Sequence, residues 1–316
     1  MAFETPKIEY TGRIKEVTLG KGDGAVVVGS ETAYPFYLFE GEMPHQPKIA
    51  MEVYDTPPEE WAEAVLKPFE GVTSDPVAWA KKNVEEYKAD MVYLQLISTD
   101  PNGLNRPADE AAQTAKKVAD AIDVPLIVWG VDNDDKDAEV LRKVAEVCEG
   151  KNLIIGPVVE GNYKQVGAGA IGYKHTAIAS SPIDINLAKQ LNILLGNLGV
   201  PDEQIIVDPT TGGLGYGIEY SYSVMERMRM AALTQQDERL QFPLICNLAR
   251  EVWKTKEAKM TAEEAPNMGD PEKRGILMEG VTAVAVLLAG ADILVMRHPA
   301  AVKLVRETIR EFMADS

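Results

Sequence analysis

The stretch that decides the fold is Gln204-Ile205-Ile206-Val207-Asp208-Pro209-Thr210-Thr211-Gly212-Gly213-Leu214-Gly215-Tyr216-Gly217. A short apolar run, typical of a buried strand, leads into a loop of glycines and hydrogen-bonding residues, and a helical pattern follows at 218–233. The same order of strand, polar loop and helix recurs along the chain. Continuous apolar strands separated by helices indicate a parallel sheet that is buried on both faces.

Eight apolar runs carry this repeat. They lie at 48–54, 91–97, 126–129, 153–159, 175–179, 204–207, 242–246 and 292–296. Helical patterns follow them at 107–121, 136–148, 182–197, 218–233, 275–289 and 299–313, with another opened by Asp75-Pro76 and a weaker one at 161–173. Eight such units favour closure, so we expect an α/β fold in which residues 47–316 form a (β/α)8 TIM barrel. The glycine pattern of a dinucleotide-binding fold does not follow the first strand.

Two stretches depart from the repeat. Residues 1–46 contain short apolar runs at 8–11, 13–19, 25–29 and 36–39, which predict a small N-terminal antiparallel β extension. We expect this extension to cover the bottom of the barrel or to reach for a partner. The other stretch, 248–274, is predicted to be a long charged loop insertion after the seventh strand. We interpret it as functional, because barrels elaborate this face for binding.

Composition narrows the classes of partner. The 316-residue chain has a formal net charge of -17, and such a field repels nucleic-acid phosphates and anionic lipid. No apolar run reaches the roughly 18 residues of a membrane span, and Met1-Ala2-Phe3-Glu4-Thr5 lacks the pattern of a signal peptide. We therefore expect a cytoplasmic protein that binds neither nucleic acid nor membrane.

Residues that usually do chemistry are scarce, since the chain has three histidines and two cysteines. Cys148 and Cys246 lie in apolar surroundings, predict buried small side chains, and cannot supply the four thiolates of an iron–sulfur cluster. His45 and His175 precede strands and are expected at the bottom of the barrel, away from a site. No two histidines share a strand or a helical turn, so we predict no catalytic side chain and no metal site.

The carboxyl ends of barrel strands meet on one face, where the sites of such barrels lie. The loops on this face supply the candidate binding residues. In chain order they are Asn102, Gly103, Arg106, Asn133, Asp208, Thr210, Thr211, Gly212, Gly213, Leu214, Arg250 and His298. The loop at 208–217 is the strongest candidate, because its glycines let a backbone approach a ligand closely and its amides precede a helix. Simpler interpretations remain open: a helix cap for Asn133 and a helix start for His298.

Three segments carry a resemblance to a known family. They are Met51-Glu52-Val53-Tyr54-Asp55, Gln95-Leu96-Ile97-Ser98-Thr99-Asp100-Pro101-Asn102 and Ile206-Val207-Asp208-Pro209-Thr210-Thr211-Gly212-Gly213-Leu214-Gly215-Tyr216. Together with the N-terminal extension, they make the chain resemble the small subunit of the corrinoid iron–sulfur protein. In archaea this corresponds to the delta subunit of the acetyl-CoA decarbonylase/synthase complex. The resemblance covers essentially the whole chain.

The resemblance implies a methyl carrier of the reductive acetyl-CoA pathway. Cobalamin would be held between this barrel and the large subunit of the corrinoid iron–sulfur protein, which carries the [4Fe–4S] cluster. The methyl group would come from a methyltetrahydrofolate-dependent methyltransferase and pass to acetyl-CoA synthase/carbon monoxide dehydrogenase. The candidate residues would contact the corrin, with Asp208 orienting its loop. Whether the subunit counts as an enzyme stays open, because the cofactor rather than a side chain does the chemistry.

Two other interpretations remain. A stand-alone pterin-dependent methyltransferase would use the same barrel, with Asp55, Asp100, Asn102 and Asp208 as hydrogen-bonding groups for the pterin. A non-catalytic bracing subunit would instead dock on its partner through the N-terminal extension and the 248–274 insertion.

Overall fold

The computed structural model describes residues 5–212, 214 and 217–314 of the chain. Its strands are β1 (Val17–Leu19), β2 (Val26–Val28), β3 (Lys48–Tyr54), β4 (Met91–Gln95), β5 (Leu126–Trp129), β6 (Ile154–Val158), β7 (Thr176–Ser180), β8 (Ile205–Asp208), β9 (Leu244–Asn247) and β10 (Ala291–Met296). Each of the eight predicted apolar runs overlaps one strand from β3 to β10, with bounds that differ by one or two residues at most ends. The second run ends early as a strand, because the chain turns into a 3-10 helix at Ile97–Thr99.

Strands β3 to β10 form a closed barrel in the order β10-β3-β4-β5-β6-β7-β8-β9. All neighbouring pairs are parallel, so the eight carboxyl ends lie at one end of the barrel, the top face. Closure joins the first barrel strand to the last, with Met51 in register with Met296. The predicted (β/α)8 TIM barrel is confirmed.

Helices surround the barrel. They are α1 (Glu63–Leu66), α2 (Pro76–Glu85), α3 (Ala108–Ala121), α4 (Asp134–Val147), α5 (Tyr163–Tyr173), α6 (Ile185–Leu198), α7 (Ile218–Thr234), α8 (Leu248–Trp253), α9 (Lys256–Lys259), α10 (Pro271–Leu288) and α11 (Pro299–Ala314). Side chains cap several of them, as Asp75 does by accepting from two amides at the start of α2. In the described residues no helix has both the length and the apolarity that crossing a membrane requires.

The stretch at 248–274 is folded rather than an open loop, which corrects that part of the prediction. It contains α8, α9 and a 3-10 turn at Pro266–Met268, and α10 already begins at Pro271. Trp253 and Ala258 are buried, so part of the stretch adds to the core. The helices are short and carry charged residues on their outer faces, so the sequence pattern did not reveal their apolar, buried side.

The N-terminal extension covers the bottom of the barrel, which is the first of the two expected positions. Only two of its four predicted runs form strands among the described residues, β1 and β2, which pair antiparallel. Val17, Leu19 and Val28 are buried and pack on the barrel interior. The run at 8–11 forms no strand. A side-chain hydrogen bond holds it instead, since the Tyr10 hydroxyl donates to the Glu40 carboxylate at 2.7 Å.

Side-chain alternation along each strand fills two apolar layers. Ile206, for example, lies in the barrel interior, whereas Val207 packs against the surrounding helices. The interior is filled by buried residues from all parts of the barrel, so it is a core and not a pore. A ligand larger than a few atoms must therefore bind on the top face rather than inside the barrel.

A buried charge cluster lies where the extension meets the bottom of the barrel. Arg229 donates to Asp292 and to the carbonyl of Gly290, both at 2.5 Å. Glu31 lies beside Asp292 and is only 4% exposed. Burial and the neighbouring Asp292 raise the pKa of Glu31 well above its usual range, so the side chain is most stable here when protonated.

Glu31→Gln is expected to raise the free energy of unfolding at pH 8 by about 1–3 kcal/mol, because the amide mimics the protonated acid and can donate to Asp292. The wild-type chain binds more protons at Glu31 when folded than when unfolded. Its stability therefore falls as pH rises from the ordinary carboxyl pKa through the raised one. Urea unfolding at pH 5 and pH 8 measures this difference, which the variant should reduce.

The exposed Glu42 of the same segment supplies the control. Glu42→Gln should change stability by less than about 0.5 kcal/mol at either pH. Equal pH dependence in Glu31→Gln and the wild-type chain would contradict the assignment of a raised pKa to Glu31.

Candidate functional site

The strand residues that point inward at the top face form one polar layer, which we call the mouth layer. Alternation from the buried interior residues assigns its members, because every second side chain of a strand faces the same side. The mouth layer consists of Glu52, Tyr93, Gln95, Trp129, Ser180, Asp208, Asn247 and Arg297. Beneath it the interior is apolar, so the polar groups are concentrated where a ligand can reach them.

Arg297 is the buried cation of the mouth layer, at 4% exposed. Its guanidinium donates to Glu52 and, at 2.8 Å, to the Tyr54 hydroxyl, and it lies 4.1 Å from the ring centre of Trp61. Burial alone would lower the pKa of Arg297, but the Glu52 carboxylate outweighs it and raises that pKa. Arg297 is therefore a fixed cation that neutralises Glu52.

Glu279 on α10 is hydrogen-bonded to the chain just beyond the end of β10. Its carboxylate accepts from the backbone amides of Arg297 at 2.5 Å and His298 at 3.1 Å, and from the Trp253 indole at 2.9 Å. Burial raises the pKa of Glu279 to about 7. His298 stacks on Trp253, with ring centres 6.0 Å apart, and is 4% exposed. The structure thus places His298 at a helix start under α8 rather than at the surface of the mouth.

Tyr93 and Asn247 connect two sides of the barrel. The Asn247 side-chain amide donates to the Tyr93 hydroxyl at 2.7 Å. Burial raises the pKa of Tyr93 well above its usual range, and the nearby carboxylates of Glu52, Asp132 and Asp208 add to the effect. The Tyr93 hydroxyl therefore lies close to charged side chains from several strands and loops of the barrel.

An ion pair spans the mouth of the barrel. Arg250, three residues beyond β9, donates to Asp132, three residues beyond β5, at 2.5 Å. Strands β5 and β9 are four positions apart in the eight-stranded barrel, so they lie on opposite sides. The Trp129 indole also donates to Asp132, at 3.2 Å. Burial alone would lower the pKa of Arg250, but Asp132 outweighs it and raises that pKa.

Asp208 orients the loop that follows β8. Its carboxylate accepts from the Ser180 hydroxyl at 2.8 Å and from the amide of Thr210 at 3.0 Å. Thr210 has a left-handed backbone with φ 62°, and its hydroxyl donates to the carbonyl of Ser181. Burial raises the pKa of Asp208 to about 6. The role predicted for Asp208 thus has a matching geometry.

The other residues of this loop differ in accessibility. Thr211 is 4% exposed and faces the Cys246 thiol, so its side chain lies under the loop. Gly212 donates its amide to the Ser221 hydroxyl at 3.2 Å. Leu214 is half-buried and packs on the outer apolar layer, whereas the predicted site residue Gly213 lies outside the described residues.

The loop after β4 presents its predicted residues to solvent. Asn102, Gly103 and Arg106 are all exposed on the top face. The amide of Asn102 donates to Asp100 at 2.8 Å, and that of Arg106 to the carbonyl of Ser98 at 2.9 Å. The backbone is therefore fixed while the side chains remain available to a ligand.

Asn133 is a helix cap, which is the simpler of its two predicted roles. Its side chain accepts from the amide of Lys136 at 3.0 Å at the start of α4. His175 is a buried structural residue that links the amide of Leu153 to the carbonyl of Ala145, and both cysteines are buried and free. Across the described ranges, no group of three or more His, Cys, Asp or Glu side chains is arranged to hold a metal ion.

Sequence reasoning missed much of the mouth layer. Glu52, Tyr93, Gln95, Asn247 and Arg297 interrupt otherwise apolar strands near their carboxyl ends. A polar residue at such a position indicates an inward-facing group at the top of the barrel, and this signal was present in the sequence. Their partners could not be read in the same way, since Glu52 and Arg297 are 245 residues apart.

With this geometry established, the chain can be compared with known proteins. The family model described as CO dehydrogenase/acetyl-CoA synthase delta subunit matches residues 16–310. The chain belongs to this family. The resemblance inferred from the sequence motifs is thereby confirmed, and the match includes the barrel and most of the bottom extension.

Curated relatives agree with the family. The acetyl-CoA decarbonylase/synthase complex subunit delta of Archaeoglobus fulgidus is 39% identical over 96% of this chain and 70% of its own length. Subunit delta 1 of Methanosarcina thermophila is 38% identical over 95% of this chain and 70% of that protein. The subunit of Methanopyrus kandleri is 40% identical over 94% and 72%, respectively.

Solved structures show the fold alone. A dihydropteroate synthase from Coxiella burnetii in complex with pteroic acid aligns with a TM-score of 0.58 at 12% identity, covering 95% of this chain and 98% of that one. The 7,8-dihydropteroate synthase of Vibrio fischeri gives the same TM-score and identity, covering 90% and 99%. The barrel of this family is therefore similar to a fold that also occurs in distant enzymes.

Asp208→Ala is expected to loosen the loop after β8, because it removes the acceptor of the Thr210 amide. Amide hydrogen exchange at residues 210–212 should accelerate about tenfold, as expected for a loss of roughly 1.4 kcal/mol. Asp184→Ala is the control, since Asp184 also accepts from backbone amides but at the start of α6. Unchanged exchange at 210–212 in Asp208→Ala would show that the loop is held by other contacts.

Proposed function

We propose that this chain is the cobalamin-binding small subunit of a heterodimeric methyl carrier in the reductive acetyl-CoA pathway. Its family membership supports this function, because curated members are named as delta subunits of the acetyl-CoA decarbonylase/synthase complex. The observation that carries the proposal is the arrangement of two hydrogen-bonding loops on opposite sides of a filled barrel.

The barrel geometry fits a broad cofactor. Strands β4 and β8 are four positions apart, so the loops that follow them flank the mouth from opposite sides. The interior is packed with side chains and cannot take a macrocycle. A corrin would therefore have to be held on the top face, by residues of the loops after β4 and β8.

The residues on this face suit the chemistry of a corrin edge, which carries primary carboxamides that both donate and accept hydrogen bonds. Arg106 offers donors, Asn102 offers both kinds of group, and Thr210 sits where its loop meets the mouth. At Gly103 an added Cβ would meet only Asp100, at 3.7 Å, so its backbone is open to close approach. These residues would hold the cofactor from this side.

A cavity of about 350 Å³ next to Thr210 extends this surface. Leu187 and Leu191 form its apolar side, while Ser181 and Glu160 supply polar groups. The Ser181 hydroxyl is buried and has no hydrogen-bond partner among the described residues. This unpartnered group fits the edge of a ligand that carries both apolar and amide parts.

When bound, cobalamin would supply the cobalt that accepts and passes on the methyl group. The chain's own residues would bind and orient the cofactor and exclude water from its lower face. The surface beneath it is close to neutral, since Glu52 is paired with Arg297 and Asp132 with Arg250. Such a surface can support the cofactor without strong attraction for a free ion.

The proposed partners follow from the same function. The large subunit would cover the cofactor from the other side and carry the [4Fe–4S] cluster. A methyltetrahydrofolate-dependent methyltransferase would deliver the methyl group, and acetyl-CoA synthase/carbon monoxide dehydrogenase would receive it in the cytoplasm. The net charge of -17 favours partner surfaces that are basic.

Cobalt content tests the proposal. The chain is produced alone and together with its candidate large subunit, both supplied with hydroxocobalamin, and cobalt is measured with the visible spectrum. We expect about one cobalt per heterodimer. Arg106→Gln in the heterodimer should weaken cobalamin affinity about tenfold, because it removes a charged donor. Arg310→Gln, at an equally exposed arginine near the bottom of the barrel, should leave the affinity unchanged.

A stable heterodimer without cobalt would contradict the proposal and leave a bracing subunit. Binding of methyltetrahydrofolate by the isolated chain, with no cobalt in either preparation, would instead favour the pterin-dependent alternative. Equal loss of cobalamin in the Arg106 and Arg310 variants would contradict the assignment of the cobalamin site to the top face.

A further inference from the structure

Three acceptor oxygens of the mouth layer have no partner. Among the described residues, no group donates a hydrogen bond to Glu52 Oε1, Gln95 Oε1 or Asn247 Oδ1. Glu52 and Gln95 are each only 1% exposed, so solvent on the surface does not satisfy them. Buried acceptors in proteins are nearly always paired with a donor, so three unpaired acceptors in one layer are unusual.

The three oxygens belong to side chains that point to the barrel axis. Gln95 is fixed in orientation, because its amide nitrogen donates to the carbonyl of Gly130 at 3.3 Å and its oxygen must face the other way. Glu52 uses its second oxygen for Arg297, and Asn247 uses its nitrogen for Tyr93. Each of these three residues thus has one side-chain oxygen that accepts no hydrogen bond among the described residues.

The mouth ion pair, Asp132 with Arg250, lies across this region from opposite strands. Both side chains remain partly accessible, with 45% and 40% of their surfaces exposed, so they can separate without unfolding the barrel. Asp132 is also held in a left-handed backbone with φ 60°, which is uncommon for a residue other than glycine. Because Asp132 also accepts from Trp129 of the mouth layer, the ion pair borders this region, and its partly exposed side chains can rearrange when a ligand binds.

We propose that the mouth layer contains a subsite that binds an N–H donor group, a primary carboxamide or an amino-substituted heterocycle, through Glu52, Gln95 and Asn247. The three unpartnered oxygens are acceptors, so only a ligand that donates hydrogen bonds can satisfy them. Arg297 already neutralises Glu52, so the donor is neutral or singly cationic.

This subsite goes beyond the proposed function, since it does not require that cobalamin binds. Two sources offer the same donor chemistry: a carboxamide of a bound corrin, or a free amino-heterocycle such as a pterin. The choice between them is left to the experiment, in which each source has its own arm.

The isolated full chain is titrated with benzamide, with benzoate as the matched acceptor-only probe, and binding is followed by ligand-observed NMR. We expect saturable benzamide binding and none for benzoate. Gln95→Met, which keeps the side-chain length, and Asn247→Leu should each weaken benzamide binding about tenfold. Asn192→Leu is the control, because Asn192 has an equally buried, unpartnered oxygen on α6, away from the mouth.

Folding of each variant is checked by its urea unfolding curve, and either mouth variant suffices if the other does not fold. Equal binding of benzamide and benzoate, no saturable binding, or unchanged affinity in a folded mouth variant would overturn the subsite. Normal benzamide binding in a chain whose heterodimer fails to retain cobalt would refute only the proposed function.

Competition then separates the two sources. Displacement of benzamide by 2-amino-4-hydroxypteridine from the isolated chain assigns the subsite to a free amino-heterocycle. Displacement by hydroxocobalamin in the heterodimer, without an effect of the pteridine, assigns it to a corrin carboxamide. Failure of both to displace benzamide would overturn the assignment to these two ligand classes.

Discussion

Closure of the parallel sheet is the constraint on which the rest of this structure depends. The register of Met296 with Met51 joins the last strand to the first and leaves no free strand edge in the barrel. An eight-stranded barrel is just wide enough to be filled by its own side chains. Closure therefore confines ligand chemistry to the ends, and the extension at 17–28 occupies the bottom. The top face is the surface that remains.

Charge in the mouth layer is arranged as pairs that link distant strands. Glu52 with Arg297 connects the first and last strands, and Asp132 with Arg250 connects opposite sides of the barrel. The Glu52–Arg297 pair is buried and adds little net stability, because the cost of removing each ion from water offsets their attraction. Its effect is to fix the ends of the two strands, whereas the partly exposed Asp132–Arg250 pair can rearrange. A rigid, neutral and hydrogen-bonding platform is what a subunit needs if a bound cofactor performs the chemistry.

The sequence predicted the barrel well, because eight apolar runs and their helices are local patterns. It also predicted the loops after β4 and β8 as parts of the top face. It did less well where long-range packing decides: Thr211 and His298 are buried under neighbouring elements, and the 248–274 stretch folds into short helices. Single polar residues near the ends of apolar strands marked the inward-facing positions of the mouth layer, but their partners could not be read, because closure pairs residues as far apart as Glu52 and Arg297.

The most direct test of the central claim is hydrogen–deuterium exchange of the heterodimer with and without cobalamin. We expect the cofactor to slow exchange at 98–106 and at 210–212, in loops on opposite sides of the mouth. We expect no change in the bottom hairpin at 17–28. Protection confined to the bottom or to the outer helices, with both loops unaffected, would contradict the assignment of the top face as the binding surface.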